Sequence, residues 1–158
     1  MTDFLRNLCP LLLTATTLGM AASPAGAELG LNVIGDEDIG YSVQIMYGTQ
    51  SLAQHNGGGE FSLVVENADR SYRQIVKDWK ASSYREDDST IELTGRIPLG
   101  NLIANLDVRV VYEKINRHVV KKQIHIVQQN ARRLFYSLEN RLEPLETPAE
   151  YWSFDQES

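Results

Sequence analysis

Two runs decide the fold class: Leu106-Asp107-Val108-Arg109-Val110-Val111-Tyr112-Glu113 and Val119-Val120-Lys121-Lys122-Gln123-Ile124-His125-Ile126. In the first, Leu106, Val108, Val110 and Tyr112 take one side and Asp107, Arg109, Val111 and Glu113 the other. In the second, Val120, Lys122, Ile124 and Ile126 oppose Val119, Lys121, Gln123 and His125. Successive side chains of a strand point to opposite faces, so period-2 alternation in β-branched and aromatic residues reads as half-buried strand. Residues 114–118 then join the two runs as a hairpin. Lys114, Arg117, Lys121 and Lys122 read as charged flanks that discourage pairing at an edge.

The same period extends upstream. Tyr41, Val43, Ile45 and Tyr47 alternate with Ser42, Gln44 and Met46, and Phe61, Leu63 and Val65 with Ser62, Val64 and Glu66. The breaks are turn-forming: Gly35-Asp36-Glu37-Asp38, His55-Asn56-Gly57-Gly58-Gly59, Glu86-Asp87-Asp88-Ser89 and Pro98-Leu99-Gly100-Asn101. Residues 71–81 suit a strand or a short helix. Leu134, Leu138 and Leu142 suit a helix at i, i+4, i+8, and with Tyr136 they equally suit one strand face; the strands throughout the preceding chain favour strand. The expected fold is all-β, an antiparallel β-sandwich related to the supersandwich type.

The first 27 residues have the composition of a secretory signal peptide. Arg6 and the amino terminus are positive, an apolar stretch runs from Leu8 to about Ala22, and Ala25-Gly26-Ala27 is a small-x-small cleavage pattern. The stretch is shorter than the roughly 20 residues a spanning helix needs. The expected layout is therefore a cleaved signal over 1–27, a β-sandwich over 28–143, and an extended tail or linker over 144–158. Export to the periplasm or medium follows, with no membrane span after cleavage. The single cysteine, Cys9, leaves with the signal, so disulfides and thiolate chemistry are not expected in the mature chain.

Composition narrows the function classes. A chain of 158 residues is one domain's worth and too short for a TIM barrel. Its net charge of −6 argues against a general nucleic-acid binder. No G-x-S-x-G, H-E-x-x-H, P-loop or G-x-G-x-x-G occurs. His55, His118 and His125 lack ligand spacing within one element, so neither a metal nor another cofactor is expected. Asp36, Glu37 and Asp38 read as a solvated turn, because consecutive side chains on an extended segment diverge. Glu66 and Glu113 are the strand-borne carboxylates a hydrolytic pair would draw on. Aromatic residues carry the better signal. Tyr72, Trp79 and Tyr84 lie close together in sequence and Trp152 sits in the closing Tyr151-Trp152-Ser153-Phe154. Flat rings stack on sugar faces, which makes these four the candidate carbohydrate contacts.

The hairpin at 106–126, followed by Gln129-Asn130-Ala131, resembles one in the N-terminal β-supersandwich domains of secreted glycoside hydrolases related to the galactose mutarotase fold. There a strand ending V-x-Y-E precedes a turn and a V-V-x-K-x-I-x-I strand. The resemblance covers about 25 residues. It implies an accessory or truncated part of such an enzyme, non-catalytic alone, because the principal acid and base belong to a barrel that follows the sandwich. It places no catalytic residue on this chain. The other expectation is a free-standing envelope protein that binds a protein partner or assembles through strand edges.

Overall fold

The computed structural model describes residues 11–19, 28–55, 58–67, 69–100, 105–128, 134–140 and 142–144. Among them every regular element is a strand. In chain order these are β1 (Leu11–Gly19), β2 (Leu29–Asp36), β3 (Gly40–Tyr47), β4 (Gln50–His55), β5 (Phe61–Asn67) and β6 (Arg73–Trp79). There follow β7 (Ser83–Glu86), β8 (Thr90–Pro98), β9 (Asn105–Asn116), β10 (Val119–Gln128), β11 (Leu134–Glu139) and β12 (Leu142–Pro144). All pairings are antiparallel, in three sheets ordered β1-β10-β9-β8-β7, β11-β5-β6 and β12-β4-β3-β2. The all-β, sandwich-like architecture read from the alternation is the one observed.

The hairpin at 106–126 forms β9 and β10, paired from Leu106↔Gln128 to Asn116↔Val119 around a tight turn at Arg117 and His118. Their alternation places Leu106, Val108, Val110, Tyr112, Val120, Ile124 and Ile126 in one core with Phe61, Leu63 and Val65 of β5 and Val43 and Ile45 of β3. That core touches all three sheets, so each sheet buries one face against the others. Both ambiguous stretches are strands: β6 lies within 71–81, and β11 pairs with β5 from Leu134↔Asn67 to Glu139↔Ser62.

Two pairings involve the ends of the described chain. Leu11–Gly19, inside the leader-like segment, pairs with β10 from Leu11↔Ile126 to Gly19↔Val119. Pro144 lies in β12 opposite Ala53 of β4, so sheet structure extends past the boundary expected at 143. Proline is tolerated there because β12 is an outer strand, where a missing N–H costs no ladder bond.

A close backbone crossing at Gly59 sets the direction of the next residue. A Cβ on Gly59 would lie 2.3 Å from the carbonyl carbon and oxygen of Asp78, so only glycine lets the two backbones pass this closely. Asp78 has φ of 48° and sits in an irregularity of the β5–β6 ladder between Phe61↔Trp79 and Leu63↔Val76. The outcome is that Glu60, at the lip of a glycine-rich turn, points inward and is fully buried.

Candidate functional site

The four aromatic residues singled out by sequence go to different places. Trp79 belongs to the core at 6% exposure and stacks on Phe61, with centroids 5.1 Å apart and planes 24° apart. Its indole also lies against Gly95, where a Cβ would come within 2.9 Å of Cζ2. Tyr72 is half-buried, its hydroxyl hydrogen-bonded to Gln74 Oε1, while Gln74 Nε2 donates to the Pro98 carbonyl at 2.9 Å. Burial raises the Tyr72 phenol above its ordinary range. Tyr84 pairs with Leu93, five positions along β8 from Pro98 or about 16 Å by strand rise. Tyr72 is thus tied to the Pro98 end of β8 and Tyr84 lies beside Leu93. Trp152 lies outside the described residues.

Tyr84 has a partner that its own stretch of sequence does not reveal. It is 45% exposed, and its ring lies 4.8 Å from that of Tyr41, tilted by 59°. The two come from different sheets and meet because Tyr41 and Ala81 exchange backbone hydrogen bonds of 2.8 and 2.9 Å. Gly40, at φ of 80°, permits that approach: a Cβ there would meet Lys80 Cβ at 2.9 Å. Beside the rings is the Gly35–Asp38 turn, closed by Asp36 Oδ1 accepting from the Asp38 and Ile39 amides at 2.9 Å each. Ile39 projects from it at 60% exposure. The Tyr41 phenol is raised first by desolvation, then by Glu37, Tyr84 and Asp36. Two phenols with carboxylates alongside can stack on an apolar face and hydrogen-bond to hydroxyls.

A second constellation is internal. Glu60 Oε1 accepts from the Val43 amide at 2.6 Å. Its Oε2 accepts from the Tyr112 hydroxyl at 2.6 Å and lies 2.9 Å from Lys122 Nζ. Lys122 Nζ also donates to the Glu60 carbonyl at 2.6 Å and to Asn140 Oδ1 at 3.1 Å, and it sits 5.2 Å from the Tyr112 ring centroid. Glu60, Tyr112 and Lys122 are all buried. Desolvation pulls the Lys122 amine down against the opposing pull of Glu60, and desolvation, then Glu60, pushes the Tyr112 phenol well up. Lys122 is thus no charged flank; it is an inward residue whose charge is met by a carboxylate from outside its own sheet. The available signal is its place in phase with Val120, Ile124 and Ile126. Glu60 carries no such signal, because the turn before it has no periodicity.

The other candidates do not converge on one site. Glu113 lies 3.7 Å from Lys121, and Glu66 faces Arg73 across the β5–β6 ladder, so the two carboxylates belong to different sheets. His55 ends β4, His118 lies in the β9–β10 turn and His125 faces Arg109. Among the described residues no three His, Cys, Asp or Glu side chains group so as to hold a metal ion. No helix among them is long and apolar enough to cross a membrane.

On the outer face of β8 and β9, Arg109 Nη2 donates to Glu92 Oε2 at 2.6 Å, and that hydrogen bond holds the Glu92 carboxyl below its ordinary range. A depressed folded-state value stabilises the fold above the unfolded value and ceases to do so as pH falls through the folded one. An Arg109→Ala variant should lose about 0.2–1 kcal/mol at pH 7, the range for an exposed pair. The deficit should shrink below the carboxylate range, as read by thermal unfolding at both pH values. A deficit constant with pH would assign it to packing.

Compared with known proteins, the chain matches no family model, no curated protein and no solved structure.

Proposed function

We propose that this protein is an exported, carbohydrate-associated β-sandwich module, an accessory part of a glycoside hydrolase that carries no catalysis of its own. The observation that supports this reading best is the Tyr41–Tyr84 pair: two rings from different sheets, held by the Tyr41–Ala81 bridge beside an acidic turn. A rigid aromatic pair costs little ordering entropy on binding, and flanking carboxylates accept from sugar hydroxyls. Of the four residues proposed from sequence, Tyr84 keeps the role of contact and Tyr41 joins it. Trp79 and Tyr72 serve the fold around them.

A heat-shift screen against a glycan panel tests the reading. At least one glycan should raise the unfolding temperature. Tyr84→Ala should weaken that ligand about tenfold, in line with one lost ring contact, and change stability by less than about 0.5 kcal/mol, as for a surface position. Silence across the panel, together with a defined oligomer or a captured envelope partner, would favour the protein-binding reading instead.

A further inference from the structure

We propose that Lys122 and Asn140 close an intramolecular amide, joining β10 to the end of β11 by a covalent cross-link that needs no cysteine. The site rests on geometry independent of the glycan reading. Lys122 Nζ, 2% exposed, is held at 3.1 Å from Asn140 Oδ1, so nucleophile and carboxamide are already in contact. Glu60 Oε2 lies 2.9 Å from the same nitrogen and is itself fully buried. Burial of Lys122 and Glu60 limits the access of water to the amine, and desolvation favours the neutral amine.

The step balances within these three side chains. The ammonium of Lys122 passes one proton to the Glu60 carboxylate. The freed lone pair attacks Cγ of Asn140, forming the Nζ–Cγ bond. A second proton moves from Nζ to Nδ2, the Cγ–Nδ2 bond breaks, and ammonia leaves. The products are a neutral secondary amide, a protonated Glu60 and one ammonia, so a buried ion pair becomes two uncharged groups. Glu60 is the proton carrier. Its position is maintained by the Val43 amide and the Tyr112 hydroxyl, each at 2.6 Å. The sole cysteine is Cys9, in the leader-like segment, so an amide is the cross-link open to the rest of the chain.

Intact mass of the purified protein, set against the mass expected from its own amino terminus, is the first measurement. The protein should be lighter by one ammonia, about 17 Da. Tryptic fragmentation should yield residues 122–132 joined to residues 134–141. Asn140→Ala should restore the full mass, and Asn140→Asp should lose water in place of ammonia. Glu60→Gln, in material retaining the wild-type near-ultraviolet dichroism, should keep full mass. If that variant does not fold, Tyr112→Phe, which takes one hydrogen bond from the same carboxylate, should slow closure. Full mass with linear peptides in the wild type overturns the proposal. So does an ammonia deficit confined to the linear 134–141 peptide, which would be asparagine cyclising on its own backbone. Cross-linking that persists in folded Glu60→Gln overturns the role of Glu60.

Discussion

Replacing Glu60 by Leu should destabilise the protein by about 3–5 kcal/mol, the cost of removing one member of a buried ion pair. The carboxylate faces the Val43 amide, the Tyr112 hydroxyl and Lys122 Nζ; the first two lose their acceptor, and Lys122 loses its counter-charge while keeping the Glu60 carbonyl and Asn140 Oδ1. An ammonium with a side chain 2% exposed cannot recover its hydration without opening the core. The sign is the same whether or not the amide with Asn140 has closed, since closure requires Glu60. Urea unfolding at neutral pH reads the effect directly. In an Asn140→Ala background, where no amide can form, the double variant Glu60→Gln with Lys122→Met should recover most of the loss. Gln Oε1 still accepts from the Val43 amide and its Nε2 can donate to the Tyr112 hydroxyl oxygen, and a buried ion pair exchanged for matched neutral groups is often neutral in stability. A Glu60→Leu variant within about 1 kcal/mol of wild type would mean that water reaches this site.

Trp79→Ala should cost a further large amount, about 3–5 kcal/mol, as for other large aromatic truncations in a core. The indole fills space between Phe61 and Gly95 and belongs to the same buried cluster as Leu93 and Val108. Cavity formation and the lost ring contact act together, because Gly95 has no side chain with which to collapse into the void. Thermal unfolding of Trp79→Ala beside Tyr84→Ala separates two roles that sequence alone merges. The first variant should unfold roughly 10 °C earlier, given the usual shift per kcal/mol for a chain of this size; the second should unfold with wild type. Equal unfolding temperatures would return Trp79 to the surface and to the ligand contacts.

Legibility varies with the length of the periodic signal. The hairpin of β9 and β10 is readable to within a residue or two, because long runs of alternation leave one choice of inward face. The inward set at β5, Phe61, Leu63 and Val65, is readable for the same reason. β11 is not decided by its own sequence, since leucines four apart satisfy both a helix and a strand, and pairing with β5 resolves it. The candidate surface is legible in part. Tyr84 stands out as an aromatic, but Tyr41 looks like one more member of the inward face of β3 and meets Tyr84 only through the bridge to Ala81.

By itself the sequence determined the class of fold, the antiparallel pairing of its longest hairpin and the inward apolar faces of its longest alternating runs. These follow from local backbone geometry, in which side chains alternate and a short turn brings neighbouring strands together. Tertiary structure alone decided which inward residues meet. Glu60 and Lys122 are 62 positions apart, and Tyr41 and Tyr84 lie on different sheets. No period along a chain encodes contacts between sheets. They depend on how three amphipathic surfaces share one core and on where a glycine such as Gly59 lets two backbones cross. That packing turned one lysine of a basic run into a buried amine beside an asparagine, and one tryptophan of an aromatic cluster into core.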